Sequence, residues 1–238
     1  MNDQKQSKKL SDLNTILITG GNRGIGLALT EQLSARGDRV IVACREASTE
    51  LKNLVADPQR EVEIIEGLDV RKPNSLCASL MALGVTRLDL LINNAGVLRR
   101  DRLGEINYDQ LEEQIAVNTI APLRVIESCL PLLGRGSKVA NVSSRMGSLA
   151  DNSSGGMYGY RISKAALNMA SVSLAHDLKE LEISVIALHP GYVRTGMTGH
   201  NGLIDTDESA RGLIERIDAL NPEITGTFWH CNGEELPW

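Results

Sequence analysis

Short apolar runs alternate with amphipathic stretches along most of the chain. Seven runs are rich in aliphatic and β-branched residues, and most of the stretches between them hold helical periods of ten residues or more. This alternation predicts an α/β fold with a parallel sheet that helices cover on both faces. The nearly continuous apolar character fits strands buried on both sides. The predicted strands are TILIT (15–19), RVIVAC (39–44), EVEIIE (61–66), LDLLIN (88–93), SKVANVS (137–143), ISVIALH (183–189) and GTFWHC (226–231).

The length of 238 residues fits one large α/β domain, and no repeat or Pro/Gly/Ser linker divides the chain. We expect residues 14–238 to form that domain. Residues 1–13 are polar and lack the apolar core of a signal peptide, so they are predicted to be a flexible tail. The stretch 190–206 is the longest without a clear period and is predicted to be a mobile loop.

Composition narrows the function classes. A net charge of −5 and a pI of about 5.5 give no basic surface for nucleic acid. No apolar run approaches the roughly 20 residues of a membrane helix, so no membrane contact is expected. Four cysteines lie far apart without a CxxC motif or a nearby histidine cluster, so neither a metal site nor a disulfide framework is expected. Reduced thiols and the absence of a signal sequence predict a cytoplasmic protein.

The stretch TGGNRGIG (19–26) follows the first predicted strand directly. Its glycines Gly20, Gly24 and Gly26 allow positive φ and close approach of the backbone to a ligand. The free N–H groups of the helix that begins there suit a pyrophosphate. The spacing differs from the commoner G-x-G-x-x-G, and a glycine-rich turn is often only a turn. Its place between the first strand and the first helix favours dinucleotide binding.

The end of the second strand discriminates between the two nicotinamide dinucleotides. An acidic residue there binds the ribose diol of NAD, whereas an arginine accommodates the extra phosphate of NADP. The strand ends in ACRE, so Arg45 follows it, and Arg23 lies inside the glycine turn. Either arginine alone is equally explained as a solvated charge, but together they can grip one phosphate. We therefore expect NADP(H) rather than NAD(H), with the adjacent Glu46 as the residue that argues against it.

The chain as a whole resembles the classical short-chain dehydrogenase/reductase family. The resemblance covers nearly the whole chain and implies a single-domain Rossmann fold, a doubly wound parallel sheet with helices on both faces. The ending GTFWHCNGEELPW is similar to that of the C-factor and Sniffer-type carbonyl reductase branch. The motifs are TGGNRGIG (19–26), LDV (68–70), NNAG (93–96), VNTIAP (117–122), NVSS (141–144), YRISK (160–164) and HPGYVRT (189–195).

The resemblance also implies a cofactor site. Asp69 is expected to contact the adenine, and NNAG to line the coenzyme beside the fourth strand. As alternatives, Asp69 caps a loop and NNAG stabilises the central sheet. Thr195 is expected to bond the cofactor near its amide or phosphates. The implied cofactor residues are Gly20, Asn22, Arg23, Gly24, Ile25, Gly26, Arg45, Asp69, Val70, Asn93, Ala95, Gly96, Tyr160, Lys164, Pro190, Gly191, Val193 and Thr195.

The stretch YGYRISKAALN (158–168) carries the candidate proton donor. An alkoxide formed by hydride transfer to a carbonyl needs a proton, and a tyrosine can supply it if its pKa moves from about 10 toward neutrality. Lys164 lies one helical turn from Tyr160, where an ammonium would lower that pKa. Tyr158 has Arg161 at i+3, so spacing alone leaves both tyrosines open. The family pattern Tyr-x-x-x-Lys selects Tyr160, and implies that Lys164 also binds the nicotinamide ribose.

Two further catalytic residues are implied by the resemblance. Ser144, three residues before Gly147, is the candidate that holds the substrate oxygen, and Ser143 is the next candidate. The interval from Ser144 to Tyr160 is longer than usual in the family, with the excess in LADNSSGG (149–156). Asn118 is a poor helix former in mid-helix and is expected to perturb the helix and hold a water linked to the lysine. A buried asparagine that satisfies backbone groups at a kink is a compatible interpretation.

The leading hypothesis is an NADPH-dependent oxidoreductase that reduces the carbonyl of a small aldehyde, ketone or quinone by hydride transfer, with tyrosine as proton donor, and oxidises the corresponding alcohol in reverse. The alternative is a C-factor-like regulatory protein that binds NADP(H) with little turnover. The resemblance further implies a homodimer or homotetramer formed through the helices of VNTIAPLRVIESCL and YRISKAALNMASVSLAHDL.

Overall fold

The computed structural model describes residues 14–238, so the predicted tail at 1–13 lies outside the described residues. All seven predicted strands are present and pair in parallel in one sheet of order β3-β2-β1-β4-β5-β6-β7. The predicted α/β fold is therefore confirmed. The strands are β1 (Thr15–Thr19), β2 (Arg39–Cys44), β3 (Glu61–Glu66), β4 (Leu90–Asn93), β5 (Lys138–Val142), β6 (Ser184–His189) and β7 (Thr227–His230).

Helices connect the strands, as the alternation predicted. A π-helical turn, Ala116–Ile120, joins α4 to α5 without a break. The helices are α1 (Gly24–Ala35), α2 (Thr49–Ala56), α3 (Leu76–Ala82), α4 (Tyr108–Ile115), α5 (Ala121–Cys129), α6 (Tyr158–Asp177) and α7 (Thr206–Ala219).

Alternate residues of the central strands face two separate apolar layers. On β1, Ile16 and Ile18 pack with α1 and α7, whereas Leu17 packs with α3, α5 and α6. Successive side chains of a strand point to opposite faces, so a strand buried on both sides must be apolar throughout. The sheet is therefore doubly wound, as expected for a Rossmann-type domain.

One helical segment is long and apolar enough to cross a membrane, although the sequence analysis expected no apolar run of that length. The continuous segment Tyr108–Leu132 could cross a membrane by length and composition alone. Its residues Val125, Ile126 and Cys129 are instead buried against the sheet. This packing is that of a core helix in a globular domain, and it accounts for the apolar run that the sequence analysis did not recognise.

The strand order reverses between β1 and β4. In open α/β sheets, ligands bind in the crevice at the carboxyl ends of the strands where the order reverses. That crevice lies between Thr19, at the end of β1, and Asn93, at the end of β4. Five of the seven motifs singled out in the sequence lie at or just after the carboxyl ends of β1, β3, β4, β5 and β6, so the fold gathers them along this edge, and the other two, VNTIAP and YRISK, lie on helices.

The stretch 190–206 contains no long helix or strand, as predicted, but it is internally hydrogen-bonded. Val193 and Ile204 form a β-bridge, and Gly196–Thr198 forms a 3-10 turn. The Thr198 hydroxyl donates to the carbonyl of Val193 at 2.8 Å. The structure thus gives this predicted mobile loop a definite conformation.

Candidate active site

The glycine turn packs against the NNAG segment with no room for side chains. Gly20 has φ +67°, and a Cβ there would lie 3.1 Å from Ala95 Cα. A Cβ on Gly26 would lie 2.3 Å from the Gly20 carbonyl oxygen and 2.4 Å from Asn94 Nδ2. Side chains at these positions would displace backbone, so both glycines are required for the turn to meet the end of β4.

Two side chains fasten the ends of β1 and β4 together. Asn94 Nδ2 donates to the carbonyls of Thr19 and Gly20 at 3.1 and 3.0 Å. The Thr19 hydroxyl oxygen accepts from the backbone N–H groups of Asn94 and Ala95 at 3.1 and 3.2 Å. Neither Thr19 nor Asn94 was singled out from the sequence. The only sequence signal for Asn94 was its place as the second asparagine of NNAG. Its role became clear only from its hydrogen bonds in the structure.

Asn93 turns into the sheet. Its Nδ2 donates to Asn141 Oδ1 at 2.9 Å, and Asn141 Nδ2 donates to Ser171 Oγ at 3.0 Å. All three side chains are buried. The geometry favours the interpretation in which this residue stabilises the central sheet, and leaves the lining of the crevice to Ala95 and Gly96.

The two arginines that are expected to select the nucleotide lie in the glycine turn and just after β2. Arg23 and Arg45 are both exposed, and neither forms an ion pair with another residue in 14–238. Asn22 Nδ2 donates to the carbonyl of Glu46 at 2.9 Å, which ties the glycine turn to the end of β2. Both guanidinium groups are therefore exposed and not paired with a carboxylate of residues 14–238, as binding of a phosphate requires.

Asp69 serves its own loop. Its carboxylate accepts from Arg71 Nη2 at 2.6 Å and from the Arg71 backbone N–H at 2.9 Å. The hydrogen bonds from Arg71, and to a lesser extent the charge of Arg45, hold the pKa of Asp69 below its ordinary value. The loop-capping interpretation of this residue is thus realised, and Val70 beside it packs against the core.

The segment after β6 lies over the glycine turn. A Cβ on Gly24 would be 3.6 Å from Thr195 Cγ2, so residues far apart in the chain meet here. Gly191 has φ +87° and packs against Ile204, while the carbonyl of Pro190 accepts from Ser209 Oγ at 2.6 Å. Ile25 and Val193 complete this end of the crevice as apolar contacts.

Tyr160 and Lys164 are both buried on α6. Lys164 Nζ donates to the carbonyl of Val142 at 2.8 Å and lies 5.9 Å from the centre of the Tyr160 ring. Burial lowers the pKa of Lys164 to about 8. Burial also raises the pKa of Tyr160 to about 12, and a hydrogen bond with Ser144 offsets part of that rise.

The expectation that Lys164 brings the pKa of Tyr160 toward neutrality is therefore wrong for the folded chain by itself. Loss of water around the phenol raises its pKa, because burial disfavours the charged form, and the Ser144 side chain offsets only part of that rise. The phenol is consequently held in its protonated form at neutral pH.

The structure separates the two serine candidates. Ser143 is buried, and its hydroxyl donates to Asn168 Oδ1 at 2.6 Å. Ser144 begins the 3-10 turn Arg145–Gly147, and its Oγ accepts from the Met146 N–H at 3.2 Å. The Ser144 side chain lowers the pKa of Tyr160 and so offsets part of the rise caused by burial, which requires the two groups to lie close together. Ser143 thus supports α6, and Ser144 is the one next to the candidate proton donor.

Asn118 lies in the π-helical turn and is fully buried. Its Oδ1 accepts from the Val97 N–H, and its Nδ2 donates to the Val97 carbonyl, both at 2.8 Å. Its Nδ2 also donates to Ser163 Oγ at 3.0 Å. Pro122 has no N–H, so the carbonyl of Asn118 lacks the usual i+4 partner. The Asn118 side chain thus supports the backbone of the segment after NNAG.

The loop after Ser144 is held by the last strand and the segment that follows it. Arg145 pairs with Asp151 at 2.5 Å and with Glu234 at 2.9 Å. The main-chain oxygen of Trp238 accepts from Ser148 Oγ at 3.0 Å and from the N–H groups of Leu149 and Ala150 at 3.0 and 3.1 Å. The conspicuous ending of the sequence therefore braces the active-site loop.

Within residues 14–238, no group of three or more His, Cys, Asp or Glu side chains is arranged to hold a metal ion. The four thiols, Cys44, Cys77, Cys129 and Cys231, are free.

Comparison with known proteins decides the family. The family model described as short chain dehydrogenase matches residues 14–203. The chain belongs to the short-chain dehydrogenase family. It is 42% identical over 232 residues to 1-hydroxy-2-glutathionyl-2-methyl-3-butene dehydrogenase of Rhodococcus sp. (strain AD45), covering 95% of this chain and 100% of that protein. It is 46% identical over 154 residues to C-signal of Myxococcus xanthus, covering 63% of this chain and 93% of that protein.

Solved structures agree with this assignment. Carbonyl reductase Sniffer of D. melanogaster superposes with a TM-score of 0.87 at 31% identity, covering 95% of this chain and 100% of that one. NADPH-bound carbonyl reductase from chicken fatty liver gives 0.86 at 31% identity, covering 95% and 99%. These relatives place the chain in the Sniffer and C-factor branch of the short-chain dehydrogenases. It is an oxidoreductase of this family.

The residues of the crevice fit a nicotinamide cofactor. Close packing at Gly20 and Gly26 leaves backbone rather than side chains facing the helix N-terminus, where phosphate groups bind. Gly96 continues that surface toward the catalytic end, since a Cβ there would lie 3.2 Å from Asn118 Oδ1 and 3.9 Å from Lys164 Nζ.

Proposed function

We propose that the protein is an NADPH-dependent reductase of small aldehydes, ketones or quinones, able to oxidise the corresponding alcohols in reverse. The observation that carries this proposal is the cluster of Tyr160, Ser144 and Lys164, buried at the carboxyl end of β5 beside the nucleotide crevice.

A bound NADPH would supply hydride to the carbonyl carbon. The Ser144 hydroxyl donates a hydrogen bond to the carbonyl oxygen and polarises it. Tyr160, kept protonated by a pKa of about 12, donates its proton to the same oxygen. Lys164, whose pKa of about 8 leaves it mostly charged at neutral pH, stabilises the resulting phenolate. Asn118, held in the π-helical turn, is the residue proposed to hold a water linked to Lys164.

The preference for NADP(H) rests on two exposed charges. Arg23 lies in the glycine turn and Arg45 follows the end of β2, and neither forms an ion pair with another residue in 14–238. A guanidinium fork binds phosphate well, whereas a free ribose diol calls for an acidic partner. Glu46 is exposed beside Arg45 and is the group that would serve NAD(H) instead. Two cations outweigh one anion here, and the carbonyl reductase from chicken fatty liver binds NADPH.

A second candidate function is regulatory binding of NADP(H) with little turnover. The identity of 46% with C-signal favours it. A protein that only binds the cofactor has no need of a buried tyrosine and lysine with a serine beside them. The catalytic proposal therefore accounts for more of the structure.

The subunit arrangement and location follow as further proposals. Apolar side chains remain exposed on the helices expected to pair, with Ile162 46% and Met169 68% exposed on α6 and Ile120 40% exposed at the π turn. Covering them in a homodimer or homotetramer would remove this area from water. A cytoplasmic location suits the four free thiols.

The test begins with fluorescence titrations of the protein with NADPH and with NADH, followed by NADPH oxidation assays with benzaldehyde, isatin and menadione. We expect tighter binding of NADPH and its oxidation by at least one carbonyl. Tyr160→Phe should lower kcat by about 10²- to 10⁴-fold with unchanged NADPH affinity. Tyr158→Phe, on the same helix turn, is the matched control and should retain its rate. Near-normal turnover by Tyr160→Phe would refute the assignment, and binding without oxidation by any carbonyl would favour the regulatory candidate.

A further inference from the structure

The segment after NNAG is hydrogen-bonded to three elements in succession. Val97 pairs through its N–H and carbonyl with the Asn118 side chain in the π turn. The Arg99 N–H donates to Gln114 Oε1 on α4 at 2.8 Å. Asp101 then reaches the start of α6. The segment thus links the nucleotide crevice to the helix that carries Tyr160.

Helix α6 begins without a cap of its own. Met157, the residue before it, has φ +54° and makes no side-chain capping bond. Gly155 and Gly156 precede it with φ +63° and +64°. The first N–H groups of a helix have no partners within it, and a left-handed conformation strains a residue such as Met157. Some other part of the molecule must satisfy and hold this helix start.

Asp101 does so from 57 positions earlier in the chain. Its Oδ1 accepts from the Tyr158 N–H at 2.5 Å, and its Oδ2 accepts from the Gly159 N–H at 2.9 Å. Its main-chain oxygen accepts from the Met157 N–H at 3.1 Å. A carboxylate at a helix N-terminus makes charge-assisted bonds that the helix dipole strengthens. Three consecutive N–H groups therefore converge on one residue.

Close packing prevents the helix start from sliding. A Cβ on Gly159 would lie 2.4 Å from Gln114 Nε2 and 3.2 Å from Asp101 Oδ2. Gln114 is fully buried, so it has little freedom to give way. The next residue after Gly159 is Tyr160, in the first turn of α6. A shift of this turn is therefore a shift of the phenol.

We propose that Asp101 is a positioning residue for Tyr160, and that it sets the reach of the phenol toward the substrate oxygen. This inference rests on the proposed function for its catalytic consequence. Asp101 is partly buried and lies 57 positions before the helix that it caps. Among residues 14–238, no other side chain accepts a hydrogen bond from the N–H groups of Tyr158 and Gly159. Misplacement of a reacting group by about 1 Å costs about 100-fold in rate.

The experiment compares Asp101→Asn and Asp101→Ala with Asp109→Asn, which removes an acid from the first turn of α4. With NADPH and isatin or menadione, whichever the wild type reduces faster, we expect kcat to fall about tenfold or more in Asp101→Asn and further in Asp101→Ala. The NADPH dissociation constant should stay within about twofold. NADPH deuterated at C4 should show a larger isotope effect on kcat, because hydride and proton transfer become more rate-limiting.

A readout independent of turnover separates this proposal from the proposed function. With ring-¹³C tyrosine, the Tyr160 resonance, assigned through Tyr160→Phe, should shift in Asp101→Asn and stay in place in Asp109→Asn. Amide exchange at 157–159 should accelerate in Asp101→Asn even if that variant folds normally. If the wild type reduces no carbonyl, the proposed function is refuted. The shift of the Tyr160 resonance still tests whether Asp101 positions Tyr160. An unmoved Tyr160 signal, or an unchanged kcat and isotope effect in Asp101→Asn, would overturn the proposal.

Discussion

The two ends of the site are built on different principles. At the nucleotide end, the backbone of the glycine turn is fastened by Thr19 and Asn94, and the selecting side chains, Arg23 and Arg45, stand exposed. At the chemical end, the acting side chains of Tyr160 and Lys164 are buried, and burial moves the pKa of each. In the proposed function, cofactor affinity therefore depends on exposed side chains beside a backbone turn, and reactivity depends on side chains withdrawn from water.

The difference has a consequence for substitutions. Changes at the exposed end should alter which cofactor binds without touching the fold, because surface charges contribute little to stability. Changes at the buried end should couple activity, stability and pH, because a buried ionisable group links all three. The following predictions are ordered from the largest expected effect to the smallest.

The largest effect concerns pH and His189, at the end of β6. Burial, aided by the nearby His230 and Arg145, lowers the pKa of His189 from 6.5 to about 3. Between these two pKa values, His189 binds a proton in the unfolded chain but not in the folded chain. The stabilising contribution of neutral His189 is therefore fully present above pH 6.5 and is lost as pH falls toward 3. The contribution reaches about 5 kcal/mol at most. Urea unfolding from pH 7 to pH 4 should show a shallower loss for His189→Gln than for the wild type.

His176→Gln is the matched control, since that histidine is exposed on α6 and should leave the pH slope unchanged. An equal slope in His189→Gln and the wild type would show that the acid sensitivity lies elsewhere.

The next largest effect is expected from disrupting the glycine turn at the nucleotide end. Gly26→Ala would force a methyl group to 2.3 Å from the Gly20 carbonyl oxygen, which is backbone and cannot rotate away. Overpacking of this kind costs about 1 to 3 kcal/mol, which at its upper end weakens NADPH binding by about 100-fold. Gly196→Ala, where a methyl group meets nothing within 4 Å, is the control for fluorescence titration. Tight NADPH binding by Gly26→Ala would show that the turn adapts.

A smaller effect addresses cofactor choice. Arg23→Ala and Arg45→Ala should each weaken NADPH binding by about tenfold, the worth of one exposed charge-assisted contact. Binding of NADH should stay within about twofold, because NADH lacks the 2′-phosphate. Arg102→Ala, which removes an arginine 75% exposed, controls for the loss of a surface charge. An equal loss for both cofactors would contradict the assignment of these arginines to the phosphate.

The smallest effect sharpens the chemical end. Ser148→Ala removes the hydroxyl that donates to the Trp238 oxygen and accepts from the Asp151 N–H. The loop keeps its two backbone bonds to Trp238, so we expect a loss of about 1 kcal/mol, seen as a fewfold lower kcat/KM with unchanged NADPH affinity. Ser153→Ala, on an exposed part of the same loop, is the control. A loss of NADPH affinity instead would show that the two ends are not separable.

The sequence correctly predicted the features that depend on local residue patterns, namely the strands and the glycine turn. The central strands β1, β2, β4 and β6 are mostly apolar because both of their faces are covered, and the turn after β1 was recognised from its glycines, of which Gly26 leaves no room for a side chain. The selection of Tyr160 over Tyr158 needed the family pattern, because helix spacing served both.

Other features depend on contacts across the chain and left no local signal. The cap of α6 comes from Asp101, and the support of the Ser148 loop comes from Trp238, 90 positions away. The pKa of Tyr160 was expected to fall because Lys164 is near in sequence, but it rises because the fold buries the phenol. Burial is a property of the whole domain, and spacing within one helix cannot report it.

The contact between Ser148 and Trp238 also orders events during synthesis. A chain leaving the ribosome already carries both partners of the Thr19–Asn94 bonds once Asn94 has emerged, and these bonds span only 75 positions from the end of β1. The Ser148 loop then waits a further 90 residues for its acceptor. At about 5 to 20 residues per second, that delay is roughly 5 to 18 seconds. The bonds that fasten the glycine turn can thus form well before the Trp238 oxygen is available to the Ser148 loop.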